Sequence, residues 1–120
     1  TKVKKRLLCV VCGVKLKEGE IKSLVLGISQ NGGLIPVGNV SSGFSHKDKT
    51  LLMQALDQLQ QKESPFGEGI KEKEVIWFQP VLTVQVVFME REPQGGLRHP
   101  VLEGFSAKKP DEATGEEEIV

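Results

Sequence analysis

The sequence predicts a mainly β domain, a small antiparallel barrel of five strands with one helix between the third and the fourth. Three observations carry that reading. Runs rich in Val, Leu and Ile recur along the chain and are separated by glycine-containing turns. A single stretch, Leu51 to Leu59, has its apolar residues at helical rather than alternating spacing. The 120 residues suffice for one domain with one modest core.

Leu7 to Leu16 reads as the first strand, with Gly13 a bulge or bend inside it. Lys17-Glu18-Gly19-Glu20 is a turn, and Ile21 to Ser29 is the second strand. Gln30-Asn31-Gly32-Gly33 has hairpin chemistry, because Asn-Gly tolerates positive φ, and Leu34 to Ser42 returns as the third strand. Ser45 is an N-cap with Asp48 three residues on, close to a capping box. Leu51, Leu52, Ala55, Leu56 and Leu59 then share one helical face, Lys62 lies in the last turn and Pro65 ends the run. A polar loop follows to about Val75. Its Glu68-Gly69-Ile70-Lys71-Glu72-Lys73 imitates a nucleotidyltransferase Glu-Gly-x-x-x-Lys motif only by chance, since no strand surrounds it. Trp77 to Glu90 is the fourth strand, with Pro80 near its start. Gln94-Gly95-Gly96 turns into the fifth, Leu97 to Phe105. Residues 110–120 are polar, acidic and expected to be disordered. Three strands, a helix and two strands is the order of an OB fold, a Greek-key barrel. A small open sandwich would give the same string.

Formal net charge is zero, so the sum announces no nucleic-acid partner, but its distribution is uneven. Lys2, Lys4, Lys5, Arg6, Lys15, Lys17 and Lys22 make the first fifth basic. Asp111, Glu112, Glu116, Glu117 and Glu118 make the end acidic. Local patches govern docking onto phosphate, and Lys5, Arg6, Lys15 and Lys17 are the candidate DNA contacts. No stretch is long and apolar enough to span a bilayer, and no secretory signal opens the chain. The start at Thr1, without Met, reads as a piece cut from a longer protein.

Cys9 and Cys12 are the only cysteines. A redox C-x-x-C pair belongs at a helix N-terminus, whereas these lie in a β-branched run. Their odd offset puts them on opposite faces of a strand, and two ligands make no structural zinc site. They read as buried or half-buried thiols in a reducing compartment, and no metal ligand set is expected.

The stretch from Leu97 to Pro110 concentrates positive charge at a strand end, with Arg98, Lys108 and Lys109 beside the apolar Val101, Leu102 and Phe105. Arg supplies a planar fork for phosphate and Lys a point charge. The bland reading is a solvated basic strand end. The stretch also resembles the last signature motif of ATP-dependent DNA ligases in its bacterial end-joining (ligase D-type) form. Arg98-His99-Pro100 fits the first half and Lys109 the final Lys, while Ser106 stands where that family has Arg and Lys108 where it has Asp. Further pieces match in order: Ser23-Leu24-Val25-Leu26-Gly27, Val37 to Phe44, Ser64-Pro65-Phe66, Trp77-Phe78-Gln79-Pro80 and Val86-Val87-Phe88. Lys2-Val3-Lys4 is similar to the end of the lysine-x-lysine motif that closes the nucleotidyltransferase domain.

The resemblance implies a C-terminal OB domain at 7–109, preceded at 1–6 by the end of the nucleotidyltransferase domain. It implies that Arg98, Lys108, Lys109, Lys2 and Lys4 orient the pyrophosphate of ATP during enzyme adenylation. The domain would then clamp nicked duplex DNA during sealing in non-homologous end joining. ATP and Mg2+ are the implied cofactors of the full-length enzyme. Implied partners are nicked or broken double-stranded DNA, the nucleotidyltransferase domain of the same chain, Ku and a polymerase domain. The implied location is the bacterial cytoplasm, at the nucleoid, with no membrane. No Lys-x-Asp-Gly adenylation motif occurs in the sequence, so no catalytic residue is expected and these residues alone should be inactive. The loss of the motif Arg at Ser106, and Asn39 where relatives often carry a basic residue, bear on the pyrophosphate role more than on DNA contact. The competing readings are a stand-alone OB module for single strands and a protein-docking module. Five Phe, one Trp and no Tyr give a poor stock of stacking platforms for the former.

Overall fold

A computed structural model describes residues 4–30, 32–62, 75–92 and 96–119. Among these residues ten strands and one helix run in order: β1 Lys5–Lys17, β2 Glu20–Gln30, β3 Gly33–Val40, α1 His46–Leu59, β4 Gln60–Gln61, β5 Val75–Phe78, β6 Thr83–Phe88, β7 Glu90–Arg91, β8 Leu97–Arg98, β9 Val101–Ser106 and β10 Glu117–Ile119, with a 3-10 turn at Pro110–Glu112 before β10.

The long first strand organises the barrel. Its second half pairs antiparallel with β2, and β2 pairs with β3. Its first half pairs with β6, and β6 with β9. Closure comes where the Leu102 N–H donates to Ser42 O at 2.8 Å, at the end of β3. The order around the barrel is therefore β3, β2, β1, β6, β9 and back to β3, which is the OB fold. Pairing of β1 with β2 slips at Val11–Gly13, so the expected bulge is there. The bulge changes the inward rhythm: Leu7, Cys9 and Val11 alternate into the core, and Val14 follows after three residues rather than two.

Helix α1 starts at a true capping box: Ser45 Oγ accepts the Asp48 N–H and Asp48 Oδ2 accepts the Ser45 N–H, both at 3.1 Å. Leu52 is buried, with Ala55, Leu56 and Leu59 packed against the same core. Leu51 departs from expectation and is 43% exposed, because it lies one residue, about 100°, off the Leu52–Leu59 stripe.

Other boundaries are corrected as well. The helix stops at Leu59, not Lys62, since Gln60 turns extended and pairs with Phe78. The expected fourth strand is broken at Gln79–Leu82, where Pro80 removes a donor, giving β5 and β6 with separate partners on β1. The expected fifth strand breaks at His99-Pro100, where His99 holds φ +52. Residues 110–119, expected to be disordered, instead carry the 3-10 turn and β10. Ala113 is fully buried against Val10 and Cys12, and β10 pairs with β1. Lys2, Asn31, Ser64-Pro65-Phe66 and the Glu68–Lys73 run lie outside the described residues.

Cys9 and Cys12 are free, buried and on opposite faces of β1, Cys9 in the main core and Cys12 under Ala113. Burial pushes both thiols up to about 12. In the unfolded chain they would ionise near pH 8.5. Between these values the folded state holds more protons than the unfolded one, so stability falls as pH rises. The slope approaches about 1.4 kcal/mol per pH unit per thiol. Urea unfolding at pH 8, 9 and 10 should show this decline, and the paired Cys9→Val and Cys12→Val variant should lose that part of it. Equal slopes for both proteins would mean that the two thiols are not buried in the folded state.

Candidate nucleic-acid interface

The expected DNA contacts fall into two groups at opposite ends of β1. Lys5 and Arg6 open the strand, while Lys15 and Lys17 lie at its hairpin end, roughly 30 Å away at strand rise. Lys17 is exposed and Lys15 half-buried.

The Lys5–Arg6 end is already engaged by carboxylates. Arg6 Nη2 donates to Glu103 Oε2 at 3.0 Å, and its Nε lies 2.9 Å from Glu103 Oε1. The hydrogen bond to Glu103 raises the Arg6 pKa further above its ordinary value, against the opposing effect of burial. Glu118 Oε2 stands 3.6 Å from Arg6 Nη1. Glu117 lies between two cations, 3.5 Å from Lys5 Nζ and 3.8 Å from Arg91 Nη1. Arg91 was not among the residues the sequence singled out. It belongs to β7, far along the chain, and only the fold brings it to this end of β1.

The motif cations do not converge. Arg98 sits on β8 and donates to Glu90 Oε1 at 2.6 Å across the β7–β8 ladder. Lys108 and Lys109 follow β9, so a six-residue strand, roughly 20 Å, separates them from Arg98. The loop carrying them is pinned: Thr83 Oγ1 donates to Lys108 O at 2.7 Å, and the Lys108 N–H donates to Ser106 Oγ at 3.1 Å. Ser106, in the place of the motif Arg, thus caps the loop. Lys108 lines a polar pocket with Arg6, Glu112, Glu116, Glu117 and Glu118. The Lys109 N–H donates to Glu112 Oε2 at 2.7 Å, and the residue is exposed. Lys4 is exposed and, with His99, borders an apolar groove over Val87, Met89 and Val101. Among the described residues, no group of three or more His, Cys, Asp or Glu is placed to hold a metal ion, and no helix is long and apolar enough to cross a membrane.

The sequence from 17 to 109, covering β1's last residue through Lys109, matches the family described as the ATP dependent DNA ligase C terminal region. The chain belongs to that family. Among the ligase relatives it resembles is the multifunctional non-homologous end joining protein LigD of Mycolicibacterium smegmatis, 37% identical over 100 residues. The LigD of Mycobacterium tuberculosis is 32% identical over 100 residues. Each match takes in 80% of this chain and 13% of the relative, so the chain spans a small part of those proteins. The crystal structure of the ligase domain of M. tuberculosis LigD superposes with a TM-score of 0.86 at 31% identity, covering 94% of this chain and 39% of that one. A mycobacterial DNA ligase D complexed with ATP and MES gives 0.80 at 31% identity, covering 92% and 38%. The ligase C-terminal domain fold thus extends beyond the matched motif to nearly the whole of this chain.

Proposed function

We propose that this chain is the OB domain of a ligase D-type ATP-dependent DNA ligase and that it holds nicked or broken duplex DNA by phosphate contacts during sealing. The observation that carries the reading is the agreement of family match and fold over the same residues. The full-length enzyme, acting in end-joining repair in the bacterial cytoplasm, would use ATP and Mg2+, a nucleotidyltransferase domain in the same chain, and Ku and a polymerase domain as partners. Of the residues the resemblance assigns to the ATP pyrophosphate, Arg98 is paired with Glu90 and Lys108 lines a pocket with carboxylates, while Lys4 and Lys109 are exposed and would be the ones to reach it.

Burial of three aromatic residues, with Phe44 and Phe105 half-buried, favours duplex over single strands. Trp77 is 8% exposed, and Phe78 and Phe88 are fully buried, so none offers a stacking face. The chain should bind random-sequence duplex with a dissociation constant of roughly 10⁻⁴–10⁻⁶ M near physiological salt. Only a few Lys and Arg can face the duplex at once, so the log–log salt slope should be shallow. Fluorescence anisotropy with matched duplex and single-stranded probes measures both. A preference for the single strand would replace this reading with the stand-alone module.

A further inference from the structure

We propose that residues 116–119 form a releasable acidic strand that covers a phosphate-binding site made by Lys5 and Arg91, with Arg6 at its border. This rests on the DNA-binding reading above and adds to it where phosphate enters and what holds that place beforehand.

Three observations support it. First, the end of the chain has two parts with different attachments. Ala113 is fully buried, and its carbonyl accepts the Ser29 N–H at 2.6 Å. Gln30 Nε2 donates to Thr114 O at 3.4 Å. Beyond this anchor the attachment is thin. Glu117, Glu118 and Ile119 pair with Leu7, Arg6 and Lys5, all three are exposed, and Ile119 is 79% so. Second, Gly115 joins the two parts at φ +94, and a Cβ there would stand 2.9 Å from Ile28 Cδ1. A joint whose positive φ favours glycine separates the fixed anchor from the exposed strand.

Third, the charges are those of a phosphate contact with carboxylate in place of phosphate. Glu117 bridges Lys5 and Arg91 at 3.5 and 3.8 Å, and Glu118 approaches Arg6 at 3.6 Å. Such half-exposed pairs are weak and weaken further with salt. A duplex offers several phosphates at once and gains from counterion release, which the carboxylates do not. Arg6 keeps its tighter partner Glu103 either way, so Lys5 and Arg91 are the cations set free.

The test uses this chain and a random-sequence duplex. Glu117→Gln with Glu118→Gln keeps side-chain shape and strand pairing while removing the charge. At low salt the double variant should bind on the order of tenfold more tightly. Its log–log salt slope should steepen by about 2, one for each freed cation. Adding Lys5→Ala and Arg91→Ala to that background should abolish both gains. In the unsubstituted chain, saturating duplex should speed exchange of those β10 amides that donate to β1 and leave Ser29 protected. If the unsubstituted chain binds duplex but the double variant shows no change in affinity or slope, the strand is a fixed part of the barrel and the proposal is wrong, with the DNA reading intact. If neither protein binds duplex, the DNA reading falls first and takes this proposal with it.

Discussion

Gly43→Ala should be among the most destabilising single substitutions in this chain. Gly43 holds φ +91 at the end of β3's run, beside the contact that closes the barrel. A Cβ there would lie 2.4 Å from Leu102 O, 2.7 Å from Leu102 N and 2.8 Å from Val101 Cγ1. The first two are backbone atoms of a paired strand and have no rotamer by which to move aside. The substitution must therefore either strain the turn or push β9 away and break the Leu102–Ser42 hydrogen bond. Left-handed strain alone costs about 1–2 kcal/mol, and a displaced closure raises the total to roughly 4 kcal/mol or more. A useful comparison is Gly19→Ala, at φ +80 with nothing within 4 Å of its Cβ, which should cost only the strain. Thermal unfolding followed by circular dichroism should separate the two by on the order of 10 °C. Similar midpoints for the two variants would show that β9 does not close against Ser42.

Leu52→Ala should cost about 2–5 kcal/mol, and Leu51→Ala less than about 1. The two leucines are adjacent and chemically identical, yet Leu52 is 1% exposed within the main core and Leu51 is 43% exposed. Only Leu52 leaves a cavity when truncated. Urea unfolding of the two variants decides it, and equal losses would mean that α1 is rotated so that both side chains share the core.

The elements legible in the sequence are those written in local chemistry. The capping box at Ser45 and Asp48, the bulge at Gly13 and the β1–β2 hairpin depend on residues within a few positions of each other. The opposite placement of Cys9 and Cys12 follows from strand alternation alone. What escaped the sequence depends on distant partners. Nothing near Gln60 says that it pairs with Phe78 and so ends the helix early. Pro80 and Pro100 were visible, but whether a proline bends a strand or divides it is settled by the neighbouring strands, β1 for Pro80 and β7 and β6 for Pro100. Three successive glutamates after Gly115 have the composition of a solvated tail, and the pairing of Glu117, Glu118 and Ile119 with Leu7, Arg6 and Lys5 arises only when the first strand is in place. The cations were found singly, but their grouping was not. Arg98 belongs to Glu90, and Arg91 joins Lys5 only through Glu117.

The shared role of β1 has a further consequence for how the chain leaves the ribosome. The strand is made first, yet its edge at Lys5 to Leu7 finds partners only in β6 and β10, and β9 must follow β6 before the barrel shuts. At about 5–20 residues per second, roughly 5–20 s pass between the emergence of β1 and that of β9. Until β6 emerges, Leu7 and Cys9 lack the strand that later pairs with them, while β2 and β3 can already fold back as a meander. An apolar strand edge left open for that long is a template for pairing with a neighbouring nascent chain. The lysines and arginine before Leu7 would set like charges against each other when two such edges meet.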